Sequence, residues 1–482
     1  MPYLHGIQVV ENATSVPAPV ENPAGVPVVF GTAPIGQLSA TGATAATNKP
    51  ILCNTFAEAK AAFGYSPNYS AFTICEAMDA FFKGFRVAPV IFVNVYDTSV
   101  AAGKETLNET LTVSNSQALL EADVIIPSMV VKDGNDTLTA GTDFTYEITD
   151  AGYVLFTLLT SHASISVTGN KTKSGTAKCA VTNSAVVGSY DASTGVSTGL
   201  ETLRDIFPKY GVFPGLILAP GFTDSTVTLA LAEKCEDISG MFKCDCVVDL
   251  PASTAPTVAA LTTAKSIYTS AHMTAVYPKV KYDGKNMDYS AMYAASLCAQ
   301  DAADGDGAPA LRVSNNALPI TAIVDASGNE LHIDMALANA INALGIVTAL
   351  NRSIWVSWGN NTCAYPNTTD PKDRWIGIRR FMSWWGNSFI VNYLDMVDDP
   401  ANARLIESIV DSENIRGNSF VASGKCAGMR MEYNKEDNTV QNIIDGHFTF
   451  RMYLAPFTPA EYILNILEFD PAMLVEALGG EA

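Results

Sequence analysis

Both ends of this 482-residue chain carry apolar, strand-like segments that have no partner nearby in the sequence. The first segment runs from Tyr3 to Glu11 and is followed by four prolines between residues 17 and 27, which exclude a helix there. The second runs from Pro459 to Phe469 and is apolar on both alternating faces, as a strand buried on two sides would be. Chain termini are usually frayed and polar. We therefore predict two arms that complete sheets in other copies of the same chain.

The arms offer few groups for ionic attachment. No lysine or arginine precedes Lys49 or follows Arg451, so the attachment of the arms must come mainly from backbone pairing and apolar burial. The residues predicted to form the donated strands are Tyr3, Leu4, Ile7, Val9 and Val10 in the first arm, and Tyr462, Ile463, Leu464, Ile466, Leu467 and Phe469 in the second.

Composition indicates a globular protein of two to four domains, because 48% of the residues are hydrophobic and only 16% are charged. The formal net charge of -20 argues against binding to nucleic acid or to an anionic membrane. Nine cysteines without a framework spacing indicate reduced thiols, not disulfides. No apolar run approaches the ~18 residues that span a bilayer, and no secretory signal is recognisable, so we expect a soluble protein made in the cytosol.

The predicted fold is a multidomain α+β or α/β arrangement. Helices and strands alternate over residues 200–282, with strands at Gly215–Ala219, Cys244–Leu250 and Met273–Tyr277, which predicts βαβ units and a parallel sheet. Residues 98–196 are instead rich in threonine, serine, valine and glycine in short alternating runs, which is typical of an all-β insert.

The following boundaries complete this prediction. They are an N-terminal extended arm (1–25), a first core segment (26–97), an inserted outward-facing β-rich domain (98–196), a second, α/β core segment (197–350), a C-terminal inner domain (351–458) and a C-terminal extended arm (459–482). Within the later segments, the patterns predict helices over 334–350 and 371–396 and a hairpin over 429–454 that turns at 435–439.

No catalytic, cofactor-binding or metal site is predicted. Ser197 lies in a Gly-x-Ser-x-Gly pattern, but a polar linker stands where a nucleophile elbow needs a buried strand. Cys244 and Cys246, with Cys235 nearby, lack the partners of a tetrahedral zinc site. Asp301, Asp304 and Asp306 are predicted to lie in a glycine-rich loop, but their spacing does not match that of a calcium-binding loop. The histidines do not cluster with carboxylates, so none is a persuasive general base.

One basic cluster stands out in this acidic chain. Its members are Lys372, Arg374, Arg379 and Arg380. Two interpretations stay open, namely a solvated helix face partly neutralised by nearby aspartates and a docking surface for a partner.

Several motifs, taken in order, resemble contractile tail sheath proteins of phages and of phage-tail-like bacteriocins. They are Tyr3 to Gly6, Phe30 to Pro34, Ile354 to Thr362, the helix from Arg374 to Arg380, and Ala455 to Phe469 with its Pro-Ala-Glu-Tyr sequence. The resemblance covers most of the chain except residues 98–196. Ser357 and Asn361 depart from residues common in this family, and they carry no functional weight.

This resemblance implies a structural subunit without catalytic activity or cofactor. Such subunits stack as helical rows of rings around an inner tail tube, donate their arms to neighbours and contract from a metastable extended state. The implied partners are other copies of the chain, the inner tube protein, and baseplate and tail-terminator proteins, with no nucleic acid and no membrane insertion. Assembly in the bacterial host cytoplasm, in a virion tail or a released particle, is implied, and the basic cluster would face the tube.

Two other interpretations compete with the sheath. A self-assembling surface-layer or adhesin-like protein would also explain an acidic chain with a β-rich insert, and it would form flat lattices. A serine hydrolase using Ser197 and a distant histidine is the weaker alternative.

Overall fold

The computed structural model describes residues 24–173, 180–251 and 257–479. The predicted first-arm residues Tyr3, Leu4, Ile7, Val9 and Val10 therefore lie outside the described residues. No helix in the described segments of the chain is both long enough and apolar enough to cross a membrane.

Strands and helices alternate along most of the chain. The strands are β1 (Val26–Gly31), β2 (Ile51–Cys53), β3 (Val90–Asn94), β4 (Lys104–Thr112), β5 (Gln117–Leu120), β6 (Val130–Asp133), β7 (Asp136–Leu138), β8 (Phe144–Ile148), β9 (Val154–Leu158), β10 (Ser164–Thr172), β11 (Tyr190–Asp191), β12 (Val196–Ser197), β13 (Pro214–Leu218), β14 (Asp245–Asp249), β15 (Met273–Val276), β16 (Lys279–Tyr282), β17 (Lys285–Met287), β18 (Ala322–Val324), β19 (Ile346–Asn351), β20 (Trp355–Trp358), β21 (Cys426–Glu432) and β22 (Arg451–Pro456). The α-helices are α1 (Ala40–Ala46), α2 (Phe56–Phe63), α3 (Thr73–Met78), α4 (Asn183–Val187), α5 (Ile206–Tyr210), α6 (Ser225–Glu236), α7 (Val258–Lys265), α8 (Tyr289–Ala303), α9 (Met335–Asn342), α10 (Pro371–Arg374), α11 (Ile376–Tyr393), α12 (Ala403–Ala422), α13 (Val440–Ile444) and α14 (Pro471–Ala477). A π-helical segment, Asp79–Phe85, continues α3.

An eight-stranded sheet forms the centre of the structure, in the order β2, β3, β1, β13, β14, β15, β19, β20. The six inner strands are parallel, and β2 and β20 pair antiparallel at the two edges. The predicted βαβ series is confirmed, because β13, β14 and β15 are parallel neighbours connected through α6 and α7. Parallel sheets of this kind need helices on both faces.

Successive side chains of the central strands enter two separate cores. Val28 and Phe30 of β1 pack in the core that contains residues of α6 and α11, while Val29 packs in the core that contains α8. This alternation is the period-two pattern of a strand buried on both faces. The mixed α/β character predicted from the sequence is confirmed.

The residues between Lys104 and Thr172 form two antiparallel sheets, β4-β10-β6-β7 and β5-β9-β8. Leu107, Phe156 and Val167 belong to a small core of their own between these sheets. The six segment boundaries given above stay predictions.

The helix predicted over residues 334–350 is wrong in its second half. Helix α9 ends at Asn342, and β19 begins at Ile346 as an inner strand of the central sheet. Gly345 separates the two with a φ of +76°, and a Cβ there would lie 2.6 Å from the carbonyl oxygen of Tyr365. The apolar run after Gly345 is buried on both faces, so it lacks the alternation that reveals a half-buried strand.

Two other expectations need correction. Asp301 lies in the buried helix α8, not in a glycine-rich loop; that helix is rich in alanine and serine and has no amphipathic stripe to reveal it. The predicted hairpin does form from β21 and β22, but residues 433–450 connect the strands and include α13 in place of a tight turn at 435–439.

Three buried carboxylates and one partly buried lysine meet where α3, β14, β16 and α8 converge. The backbone N–H of Asp288 donates to Glu76 at 2.9 Å, Lys279 pairs with Asp288, and the N–H of Ser290 donates to Asp249 at 2.8 Å. Burial, together with the Asp288 carboxylate, raises the pKa of Glu76 well above its usual range. The same two causes raise the pKa of Asp249 to about 6. The single ammonium group of Lys279 cannot neutralise three carboxylates, so Glu76 is favoured to keep its proton.

This cluster predicts that the folded subunit loses stability as the pH rises. The native state binds the Glu76 proton more tightly than the unfolded chain does, so the stabilisation is complete below pH ~4.3 and is lost progressively above it. Glu76→Gln keeps an acceptor oxygen for the Asp288 N–H and removes the titration. We expect its thermal unfolding midpoint to exceed that of the parent by roughly 2 °C or more at pH 8 and to equal it at pH 4. Glu407→Gln, on an exposed face of α12, is the control. Equal midpoints for Glu76→Gln and the parent at pH 8 would contradict the assignment.

Candidate assembly interface

An aromatic cluster joins α11 to α12. The ring of Phe420 on α12 lies 5.4 to 6.0 Å, between centroids, from Phe381, Trp384 and Trp385 on α11. Aromatic pairs at this separation contribute about 0.5–1.5 kcal/mol each beyond their area burial. The cluster lies on the segment predicted as one helix over residues 371–396, which the structure divides at Trp375 into α10 and α11. It fixes α12 as the platform on which β21 and β22 lie.

The two-stranded sheet of β21 and β22 is buried on one face only. Met429 and Met431 of β21 point into the body, while Arg430 and Tyr453 stand exposed on the other face with the guanidinium 4.8 Å from the ring centre. Gly417 of α12 permits the close approach of this sheet, since a Cβ there would lie 2.8 Å from that of Met429. Within the described chain, β21 and β22 pair only with each other. The outer edge of β22 therefore presents unpaired backbone donors and acceptors. The outer edge of β21 is partly closed, because the side chain of Asn414 on α12 hydrogen-bonds both the N–H and the C=O of Met431.

The C-terminal arm leaves the body directly after β22. Residues 457–470 form neither helix nor strand, and every residue from 460 to 470 is exposed. The predicted strand residues Tyr462, Ile463, Leu464, Ile466, Leu467 and Phe469 are all among the exposed large hydrophobic residues, with Leu467 reaching 87%. A run of apolar side chains with this exposure is costly in water. Nothing in the described subunit covers them.

The first turn of the arm is held against its own subunit by Arg374. Its guanidinium forms a 2.9 Å ion pair with Glu461 and lies 3.9 Å from the ring centre of Trp375. Its Nε donates at 2.9 Å to the buried side chain of Asn361. The arm is thus fixed where it begins and free beyond Glu461.

The four residues of the basic cluster do not share one surface. Lys372 is half exposed and contacts Asp370 and Asp373, and Arg379 lies 3.5 Å from Asp373. Arg380 is only 5% exposed and forms a bidentate ion pair with Asp301 of α8. Burial alone would lower the pKa of Arg380, but the carboxylate of Asp301 raises it overall. Arg380 is thus a core residue that joins α11 to α8, and the expectation that it is available for docking needs correction.

The other two aspartates of the calcium-like pattern are also neutralised by a cation. Lys425, which directly precedes β21, forms ion pairs with both Asp304 and Asp306. Among the described residues, no group of three or more histidine, cysteine or acidic side chains is arranged to hold a metal ion. These aspartates therefore attach β21 to the end of α8.

The remaining candidate residues do not form a catalytic arrangement in the described chain. Ser197 lies in β12, the second strand of a short hairpin in which Gly195 occupies the turn with a φ of +70°. The Sγ atoms of Cys235 and Cys244 are 3.7 Å apart in the core, and burial raises the pKa of both thiols. Cys246 is buried in β14 beside them.

Comparison with known proteins shows which proteins this chain resembles. No family model matches the chain. The tail sheath protein of Burkholderia phage BcepMu is 26% identical, and the match covers 99% of each protein. The chain is thus a homologue of tail sheath proteins. The tail sheath protein of Escherichia phage P2 is 21% identical, over 59% of this chain and 70% of that protein. The resemblance predicted from the sequence is confirmed.

A solved structure shares the fold of this sheath protein homologue. It is the sheath complex of PVC, an extracellular contractile injection system, in its contracted state. The TM-score is 0.57 at 15% sequence identity, and the match covers 98% of this chain and 99% of the other.

Two exposed apolar helices were not found by sequence reasoning. Helix α13 lies in the connection between β21 and β22, and α14 follows the arm. Both are short: the apolar residues of α13 are spaced at helical intervals over little more than one turn, and those of α14 over two turns. The Asp-Pro pair at the start of α14 was an available signal, because aspartate caps a helix and proline suits its first position.

The buried pair of Arg380 and Asp301 predicts a large stability loss on truncation. Arg380→Ala leaves a carboxylate unpaired inside α8, and we expect a cost of about 3–5 kcal/mol in urea unfolding. Lys372→Ala removes a half-exposed cation from α10 and should cost under about 1 kcal/mol. The double variant Arg380→Met with Asp301→Leu should recover most of the loss. Equal destabilisation by the two single variants would contradict the assignment.

Proposed function

We propose that this chain is the structural subunit of a contractile tail sheath. In this proposal many copies polymerise helically around an inner tail tube in a metastable extended state, and their contraction drives the tube through a target cell envelope. The observation that supports it best is the similarity to a tail sheath protein over 99% of both chains. The unpartnered apolar arm and the open sheet edge of β22 give a physical route to the polymer.

Strand donation explains both features together. The arm residues Tyr462 to Phe469 carry exposed apolar side chains and a backbone without sheet partners, and β22 offers a free edge. Adding an extended segment to such an edge satisfies backbone hydrogen bonds and buries alternate side chains. A donor and an acceptor in different regions of one chain make a heterologous contact, which generates a helix when it does not close into a ring.

Contraction then requires rigid bodies and flexible connections. The body of each subunit is fixed by buried ion pairs, whereas residues 462–470 are exposed and irregular. The bodies can rotate and shift as units while the donated strands keep neighbours connected. The stroke is downhill from a kinetically trapped state and uses no nucleotide. The baseplate and tail-terminator proteins cap the lattice, and assembly takes place in the bacterial host cytoplasm.

Electron microscopy of the purified chain, combined with arm variants, tests this proposal. The parent should form striated tubes. Ile463→Pro with Ile466→Pro removes two backbone donors from the arm and should abolish tubes, because proline cannot pair inside a sheet. The monomer should keep its thermal midpoint, since these two side chains are 83% and 71% exposed.

The matched control is Ile463→Val with Ile466→Val, which preserves a β-branched, pairing-competent strand. It should form tubes like the parent. Flat lattices from the parent would favour the surface-layer alternative and contradict the sheath, and normal tubes from the proline variant would contradict strand donation by this arm.

The exposed portion of the basic cluster is proposed to face the tube. Lys372 is half exposed and the side chain of Arg379 is 15% exposed, whereas Arg374 is engaged with the arm and Arg380 is buried. Opposite charge on a tube surface would steer and register the sheath subunits.

Charge reversal tests this orientation. Lys372→Glu with Arg379→Glu should abolish assembly on co-expressed inner tubes and leave sheath self-assembly without tubes intact. Arg404→Glu, an exposed change of the same sign on α12, should leave tube coating unchanged. Normal coating by the double variant would show that another face meets the tube.

A further inference from the structure

Helix α14 at the end of the arm cannot be stable by itself. It has seven residues, is capped by Asp470, whose side chain accepts from the N–H of Ala472 at 2.9 Å, and is exposed along its whole length. Isolated helices shorter than about 12 residues are marginal in water. Pro471, Leu474, Val475 and Leu478 follow the i, i+3, i+4, i+7 spacing of one apolar stripe. A helix with this stripe and no cover requires a partner surface.

Helix α13 presents a matching stripe on the body. Val440, Ile443 and Ile444 stand at i, i+3 and i+4, and Val440 and Ile444 are 75% and 72% exposed. The side chain of Thr439 caps this helix by accepting from the N–H of Asn442. The helix contains no charged residue, so the acidic tail, which carries Glu468, Asp470 and Glu476, meets no like charge on the stripe itself.

The topology of the acceptor sheet brings the two stripes together. β22 begins at Arg451, beside the connection that contains α13, and ends at Pro456. An arm strand that pairs antiparallel to β22 must end at the Arg451 end of that sheet. Helix α14 begins two residues after Phe469, so it is delivered to the same end as α13. Residues 462–470, beyond the ion pair of Glu461, span about 30 Å when extended, enough to lie along the β22 edge of an adjacent copy.

We propose that α14 of one copy packs on α13 of the copy that receives its strand. This inference rests on the proposed function. It adds to the donated strand a side-chain contact, in which Leu474 and Leu478 lie against Val440, Ile443 and Ile444 of a second copy of this chain. The pairing also specifies the strand direction, since a strand parallel to β22 would carry α14 to the opposite end.

Disulfide cross-linking in assembled tubes tests this contact. Ile444→Cys with Leu474→Cys should give a ladder of covalent oligomers on oxidation, which is lost on reduction. Leu159→Cys with Leu474→Cys places an exposed thiol in the 104–172 region and should give none. The eight native cysteines within the described residues are buried, so their background is low.

The outcomes distinguish a failure of the α14–α13 contact from a failure of the proposed sheath function. If the parent forms no tubes, the sheath proposal fails. If tubes form but the Ile444 and Leu474 pair gives no ladder, or the Leu159 control gives as much, only the helix contact is overturned.

A charge swap provides a second test that does not depend on oxidation. Leu474→Glu should reduce tube yield at least tenfold, because it places a carboxylate against an apolar stripe. Adding Ile444→Lys to the same chain should restore most of the yield, while adding Leu159→Lys should not. Parent-level tubes from Leu474→Glu alone, or equal recovery by both lysines, would overturn the contact.

Discussion

The ion pair between Arg380 and Asp301 holds together the two regions of the molecule that a sheath subunit needs. Arg380 belongs to α11, whose aromatic side chains support α12 and the β21–β22 sheet, and Asp301 belongs to α8, which packs on the central sheet. Both groups are buried, so neither can be left alone without a large desolvation cost. A second connection lies just beyond the end of α8, where Lys425, directly before β21, forms ion pairs with Asp304 and Asp306. If the β21–β22 sheet accepts a strand as proposed, load applied to it is passed to the α/β body.

The subunit combines a rigid body, fixed by this attachment, with an arm that is not fixed in the same way. Inside the subunit, side chains are fixed by burial and by paired charge. Beyond Glu461, the described chain has no such restraint, and in the proposed assembly its apolar residues are covered by another copy. A lattice of such units can change the packing of its rigid bodies while its connections persist. The flexible arm and the rigid body belong to one chain, so the arm can bend without breaking the link between neighbours.

Sequence reasoning succeeded where a pattern is local and failed where burial is complete. The strands of the βαβ series and the helical character of α11 were predictable from periodicity and turn residues. Strand β19 was predicted as helix because both of its faces are buried, and α8 was missed because it is buried on nearly all sides and has no amphipathic stripe. The pairing of Arg380 with Asp301 joins residues 79 positions apart, and no spacing rule could identify it. The arm was predicted as a donated strand from its apolar residues alone; in the described subunit residues 457–470 form neither helix nor strand, and their pairing stays a prediction.

Backbone pairing alone leaves a problem that the terminal helix can solve. Hydrogen bonds along a sheet edge are nearly independent of side chains, so a donated strand can slip by two residues and keep its apolar faces in place. A helix at the end of that strand does not tolerate such a slip, because a shift of two residues along a strand moves it by about 7 Å. Contact between α14 and α13 would therefore fix the register that the strand leaves open. In such a sheath, backbone hydrogen bonds of the donated strand would connect neighbouring subunits, and the side-chain contact between α14 and α13 would fix their register. Both the connection and the register must persist while the rigid bodies move.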